Sequence, residues 1–205
     1  MSSYPIVTNK FMYETTVNRS RFLCFIFPCV SYQELKIQLN QLRVEHPNAN
    51  HHCYAFVSGA PTDSQKYGFS DDGEPSGTAG RPMLAVLQGS NIGQIGAIVV
   101  RYFGGVKLGT GGLQRAYGGA VREALALAET ELKVPMTEKI LHCSYQQVSD
   151  VQHIVKTCSA QIRQEEYQEI VKFVLAIPDD QLKLFEQQLL TMSCGSLELS
   201  ELMQK

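Results

Sequence analysis

The stretch IGAIVVRYFGGVKLGTGGLQRAYGGAVREALALAETEL, residues 95–132, changes character twice along its length. Its start, IGAIVVRYFGG, is the apolar run of a central strand. Its end, from Leu113, repeats apolar residues at helical spacing and predicts a long helix that continues until Pro135 stops it. A glycine-rich loop lies between them. A central strand that feeds a helix through such a loop makes this part of the chain mixed α/β.

Upstream, NKFMYETTV and SRFLCFIFPCV read as strands, and SYQELKIQLNQLRVEH reads as an amphipathic helix with Leu35, Leu39 and Leu42 on one face and Pro47 beyond its end. HHCYAFVSG and QKYGFSDDG form a strand pair around a turn at residues 60–63, and EPSGTAGRPMLAVLQ leads into a second helix. Downstream, ETELKVPMTEKI, residues 129–140, is a short linker. After it, KILHCSY reads as a strand and SDVQHIVKTCSA as a helix begun by Ser149. QIRQEEYQ and IVKFVLAI are two further strands, PDDQLKLFEQQLLTMSCG a helix and SLELSEL a last strand. Pro178 with Asp179 and Asp180 supplies start chemistry for that second helix, and Gly195 supplies its stop. The order βαββαβ is that of a ferredoxin-like sandwich. The expected class is α+β, with one domain over residues 1–133 and a second over 138–205.

Charge divides the chain in the same place. Net charge is −2, which by itself argues against a dedicated nucleic-acid binder. Between Pro75 and Arg122, however, there is no acid, while Arg81, Arg101, Lys107, Arg115 and Arg122 supply five cations, and twelve of the sixteen glycines fall in this window. Residues 136–205 carry ten acids against six bases. No apolar run approaches the roughly 20 residues of a membrane helix, and the N-terminus lacks the features of a secretory signal, so the expected location is the cytoplasm. The six cysteines sit mostly in apolar runs without a C-x-x-C pair and read as buried thiols rather than disulfides or a zinc site.

Glycines between a strand and a helix suit a phosphate-binding turn, because amides at a helix N-terminus present unpaired donors and the positive end of the helix dipole. Gly104, Gly105, Gly109, Gly111 and Gly112 occupy that position. Lys107, Arg101 and Arg115 add charge. The Walker pattern fails because Leu108 follows the lysine, and the dinucleotide pattern fails at Gln114, so no nucleotide cofactor is expected. Steric reasons compete with the anion reading: a tight turn for the loop, and close helix packing for Gly118 and Gly119. In SDDGEPSGTAGRP, residues 70–82, Asp71, Asp72 and Glu74 are candidates for Mg²⁺ or acid–base work and Ser76 for a nucleophile; the plainer reading is a polar turn in which Ser76 or Thr78 caps the next helix. His51 and Cys53 share a strand face while His52 takes the other, and no metal site is expected from them alone.

The run from Arg101 to Gly105, with Lys107 to Gly109, Gly111 to Leu113 and the upstream DDGEPSGTAGRP, resembles the signature of the IMPACT family over residues 15–130. The resemblance implies a ribosomal protein S5 domain 2-like first domain. It implies a second domain like the ferredoxin-like one of bacterial members, the pair being similar to the last two domains of the translocase elongation factor G. Eukaryotic relatives regulate translation through an additional N-terminal domain, which is expected to be missing here, so their kinase-pathway role is not carried over. The family has no established catalytic residues to transfer. The expected function is a non-enzymatic, translation-linked regulator that binds RNA or a ribosomal surface through Arg81, Arg101, Lys107, Arg115 and the loop amides. Tyr102, Phe103 and Tyr117 are candidates for stacking on unpaired bases. Two alternatives stay open: an enzyme acting on a phosphorylated small molecule or peptide, and a protein-interaction regulator that docks a partner on the second sheet.

Overall fold

The computed structural model describes residues 3–63 and 65–202 of the 205-residue chain. The outermost residues of the two expected domains, 1–2 and 203–205, lie outside them. Helices and strands occur in both of two compact units, Tyr4–Lys133 and, from Val134 onward, a second. The class is α+β.

In the first unit a five-stranded antiparallel sheet has the order β2-β3-β6-β4-β5. Its strands are β2 (Phe11–Val17), β3 (Ser20–Pro28), β4 (His51–Val57), β5 (Tyr67–Ser70) and β6 (Ile95–Tyr102). Residue alternation explains why β3 and β6 look continuously apolar. Phe22, Cys24 and Ile26 of β3 and Ala97 and Val99 of β6 join one core with α2 (Gly80–Gly89) and α3 (Gly109–Leu127). Leu23, Phe25, Phe27, Ile98 and Val100 face the other way, onto α1 (Tyr32–Glu45). Both faces of the sheet are therefore covered by helix. The start of α1 is fixed locally: Ser31 Oγ accepts the Glu34 N–H at 3.2 Å, and the Glu34 carboxylate accepts the Val30 N–H at 2.7 Å.

One expectation fails here. Helix α3 stops at Leu127, well short of Pro135, and Thr130–Lys133 forms β7, which pairs antiparallel with β1 (Tyr4–Val7) from Tyr4↔Lys133 to Val7↔Thr130. The β1 ladder supplies the hydrogen bonds that a longer helix would have made within itself.

The second unit runs β8 (Met136–Cys143), α4 (Val148–Thr157), β9 (Gln161–Tyr167), β10 (Val171–Pro178), α5 (Leu182–Met192), β11 (Leu199–Glu201). This is the expected βαββαβ order, and the strands lie antiparallel as β11-β8-β10-β9. Leu141, Val171, Phe173, Leu175 and Ile177 pack under Val151, Ile154, Phe185 and Leu189 of the two helices. The helix starts differ from expectation. Ser144, not Ser149, forms a capping box with Gln147 around a single 3₁₀ turn that leads into α4. Pro178 is the last residue of β10 rather than part of α5. Asp179 accepts the Thr137 hydroxyl at 2.7 Å, which holds its carboxyl below the ordinary range.

Candidate functional site

The loop from β6 to α3 uses its glycines for different physical ends. A Cβ on Gly104 would stand 2.0 Å from the Arg19 carbonyl carbon in the β2–β3 turn, so this glycine is required by close backbone approach. Its N–H is already given to Ser20 Oγ at 3.2 Å. Gly109, the first residue of α3, has φ +69° and open space where a side chain would stand. Leu108 precedes it and offers no side-chain cap, so among the described residues the first-turn amides of Gly109, Thr110 and Gly111 have no side-chain acceptor, whereas the Gly112 amide falls within reach of the helix's own first bond. These amides and the positive end of a 19-residue helix face outward beside the exposed Lys107.

Lys107, Gly109 and Thr110 line a cleft of about 520 Å³. Asn50 and His51 reach it from the start of β4, Pro75 from the loop after β5, and Arg101 and Phe103 from the end of β6. Register brings these together, because His51 pairs with Arg101 across the sheet. Asn50, for which no local sequence signal existed, donates its N–H to the Arg101 carbonyl at 2.9 Å and accepts the Phe103 N–H on Oδ1 at 2.8 Å.

Arg101 departs from the sequence expectation of a free cation. It is only 6% exposed, and its Nη1 is 2.5 Å from Glu74 Oε1. Its Nη2 is 3.4 Å from Ser20 Oγ, and its guanidinium carbon lies 5.4 Å from the Phe22 ring and 5.7 Å from the Phe103 ring. Glu74 thus neutralises its charge. The Arg101 Nε is buried without a partner among the described residues, a state that costs about 1–3 kcal/mol until an acceptor arrives.

Glu74 also accepts the Tyr117 hydroxyl at 2.8 Å. Tyr117 is fully buried, edge-on to Phe22, and unavailable for stacking on a base. Burial, then Cys53 and Glu74, push its phenol far above the ordinary range. Phe103, by contrast, is 47% exposed, and Tyr102 is half-buried with its hydroxyl 2.9 Å from His46 Nδ1.

The acidic loop is engaged in holding the backbone. Asp71 accepts the N–H groups of Gly77, Ala79 and Gly80 at 2.8, 3.0 and 2.9 Å, so Asp71 rather than Ser76 or Thr78 caps α2. Asp72 accepts the His52 N–H at 2.6 Å and pairs with Arg43 at 2.9 Å. Cys53 donates its thiol to the Asp71 carbonyl at 2.9 Å, and burial pushes that thiol well up. His51 Nδ1 is 2.8 Å from the Asp72 carbonyl, which can only accept, so a neutral ring carries its proton on Nδ1 and turns a bare Nε2 toward Glu74 at 3.9 Å. His52 points to the other sheet face, 7% exposed.

The remaining predicted cations lie elsewhere. Arg81 is exposed in the first turn of α2. Arg115 and Arg122 line a groove of about 900 Å³ with residues of α2 and α3, Gly118 and Gly119 among them. A Cβ at Gly118 would make ordinary contacts at 3.7 Å, and one at Gly119 would meet nothing, so close helix packing does not require either glycine. The predicted set is thus divided. Arg101, Lys107 and Gly109 share the cleft; Arg115 belongs to the groove.

The family model of the Impact N-terminal domain matches residues 18–125, which include every residue of the cleft. The chain belongs to the IMPACT family. A second model, described as Domain of unknown function (DUF1949), matches residues 141–196 of this IMPACT chain. IMPACT family member YigZ of Escherichia coli (strain K12) is 46% identical over 183 residues, covering 89% of this chain and 90% of that protein. IMPACT family member YvyE of Bacillus subtilis (strain 168) is 33% identical over 204 residues, covering 98% and 92%. A solved structure described as the crystal structure of a hypothetical protein matches with a TM-score of 0.70 at 42% identity, covering 100% of both chains. Among the described residues no helix is long and apolar enough to cross a membrane.

Proposed function

We propose that this IMPACT protein is a non-enzymatic, translation-linked regulator that binds RNA or a ribosomal surface through phosphate contacts at its basic, glycine-rich loop. The observation that carries this is Lys107 beside the uncapped start of α3. Among the described residues Lys107, Arg81, Arg115 and Arg122 are exposed and form no ion pair, so their charge is available to a polyanion. Arg115 and Arg122 lie on α3 beyond the Lys107 loop, where about 1.5 Å of rise per residue puts roughly 10 Å between them, close enough for both to meet phosphates of one flexible strand. Phe103 supplies an exposed ring on which an unpaired base can stack.

The test is co-sedimentation with ribosomes and with single-stranded RNA at graded salt. Four phosphate contacts give a slope of about −3 in log K against log salt, and Lys107→Ala reduces it to about −2. Binding that ignores salt, or none at all, overturns the reading.

The enzymatic alternative is favoured by one observation, that Pro75 of the acidic loop lines the same cleft as Lys107 and Gly109. Against it, Asp71, Asp72 and Glu74 are all engaged in bonds that hold the loop, α2 and Arg101 in place. The translation-linked reading uses the cleft as it stands.

A further inference from the structure

Backbone phosphates can be held by exposed cations alone, and this cleft adds a buried guanidinium to them. We infer that the cleft is a site for the terminal phosphate monoester of an unpaired nucleotide. This rests on the phosphate-binding reading above and narrows it from a polyanion to one chemical group.

Donors reach the cleft from three separate parts of the fold. Arg101, more than nine-tenths buried on β6, lines it and has an Nε–H without an acceptor among the described residues. Lys107 brings an ammonium group from the loop, and the Gly109–Thr110 end of α3 brings amides that no side chain caps among the described residues. An internal phosphodiester has two non-ester oxygens and a chain leaving on both sides. A monoester has three such oxygens and a chain on one side, which suits donors spread over a strand, a loop and a helix end. Because Glu74 neutralises the guanidinium, what Arg101 adds is its unpartnered Nε–H rather than net charge, and the full charge comes from Lys107.

The size and the walls agree. About 520 Å³ is room for a single nucleotide. Phe103 gives the attached nucleoside an exposed aromatic face. The Asn50 Oδ1 is held by the Phe103 N–H, which leaves the amide NH₂ of Asn50 to donate to a base edge. The same chemistry is offered by a 5′-phosphorylated RNA end, a 3′-phosphorylated end and a free mononucleotide.

The experiment titrates the full chain with four fluorescent single-stranded RNAs of one sequence, bearing 5′-phosphate, 3′-phosphate, both or neither, and competes them with UMP, uridine and inorganic phosphate. At least one phosphorylated end binds about tenfold tighter than the hydroxyl-ended RNA, UMP competes better than inorganic phosphate, and uridine does not compete. The arm with the largest gain identifies the source. Lys107→Ala removes the gain, Phe103→Ala weakens UMP by several-fold, and Arg122→Ala in the separate groove weakens all four RNAs alike while keeping their ratio. Equal binding of all four RNAs with a steep salt dependence overturns this inference and leaves general RNA binding standing. Competition by inorganic phosphate equal to that by UMP removes the nucleotide from it. No RNA binding in any arm, with UMP still competing against a labelled mononucleotide, would sink the RNA reading and keep the monoester site.

Discussion

Arg101 on the central strand and Glu74 on the loop after β5 are buried against each other, their side chains 7% and 4% exposed, with the Tyr117 hydroxyl closing on the same carboxylate oxygen at 2.8 Å. One oxygen thereby fastens strand, loop and α3 together. Glu74→Ala leaves a guanidinium without its counter-charge, and a loss of about 3–5 kcal/mol in urea unfolding is expected. Glu74→Gln keeps an acceptor for Tyr117 and loses less. A wild-type midpoint for the alanine variant would show that the pair contributes nothing.

The glycines give a paired test. Gly104→Ala drives a methyl group into the Arg19 backbone and is expected to cost at least about 1–3 kcal/mol. Gly119→Ala enters open space within a helix and is expected to stabilise by up to about 1 kcal/mol. Thermal melts of the two variants should move in opposite directions. Equal shifts would contradict the contacts described for Gly104.

How far the sequence could be read depended on the distance between cause and effect. Ser31 with Leu35, Leu39 and Leu42 specifies α1 within one segment, and the alternation in β3 and β6 records burial on both faces. The TELK segment carries no comparable local signal, since its strand identity comes from β1, more than a hundred residues earlier. Asp71 was legible as a loop acid but not as the cap of α2, because its acceptance of the Ala79 and Gly80 amides depends on the loop's fold. Glu74 likewise meets Arg101 only through the sheet, in which β5 and β6 both pair with β4. A cationic residue at the end of an apolar strand looks identical in sequence whether it meets solvent or a buried carboxylate.

His52 gives a pH dependence. Its ring is pushed to a lower pKa by burial first, with Asp72 opposing and Arg43 and His46 assisting. A folded value below the unfolded value of about 6.5 means that stability is complete above that pH and is lost as pH falls toward the folded value. Wild-type protein should therefore lose more of its denaturant midpoint between pH 7.5 and 5.5 than His52→Gln. Parallel losses would assign the dependence to other groups.

Thiol reactivity follows exposure. Cys194 is exposed, whereas Cys24, Cys29, Cys53, Cys143 and Cys158 are buried. Burial pushes Cys29 up to about 11 and Cys24 and Cys53 higher still. Ellman's reagent at pH 8 should titrate one of the six thiols rapidly in the folded chain and the others only on unfolding. Fast release of two or more equivalents would mean that the cores open readily.

The ribbon of β1 and β7 sets Tyr4 directly opposite Lys133, so the peptide enters and leaves the first unit at a single clasp. A fold whose two ends are zipped side by side is portable. It can be spliced into a surface turn of an unrelated host, or joined end to end and reopened at a distant bend, without dragging either terminus across its core.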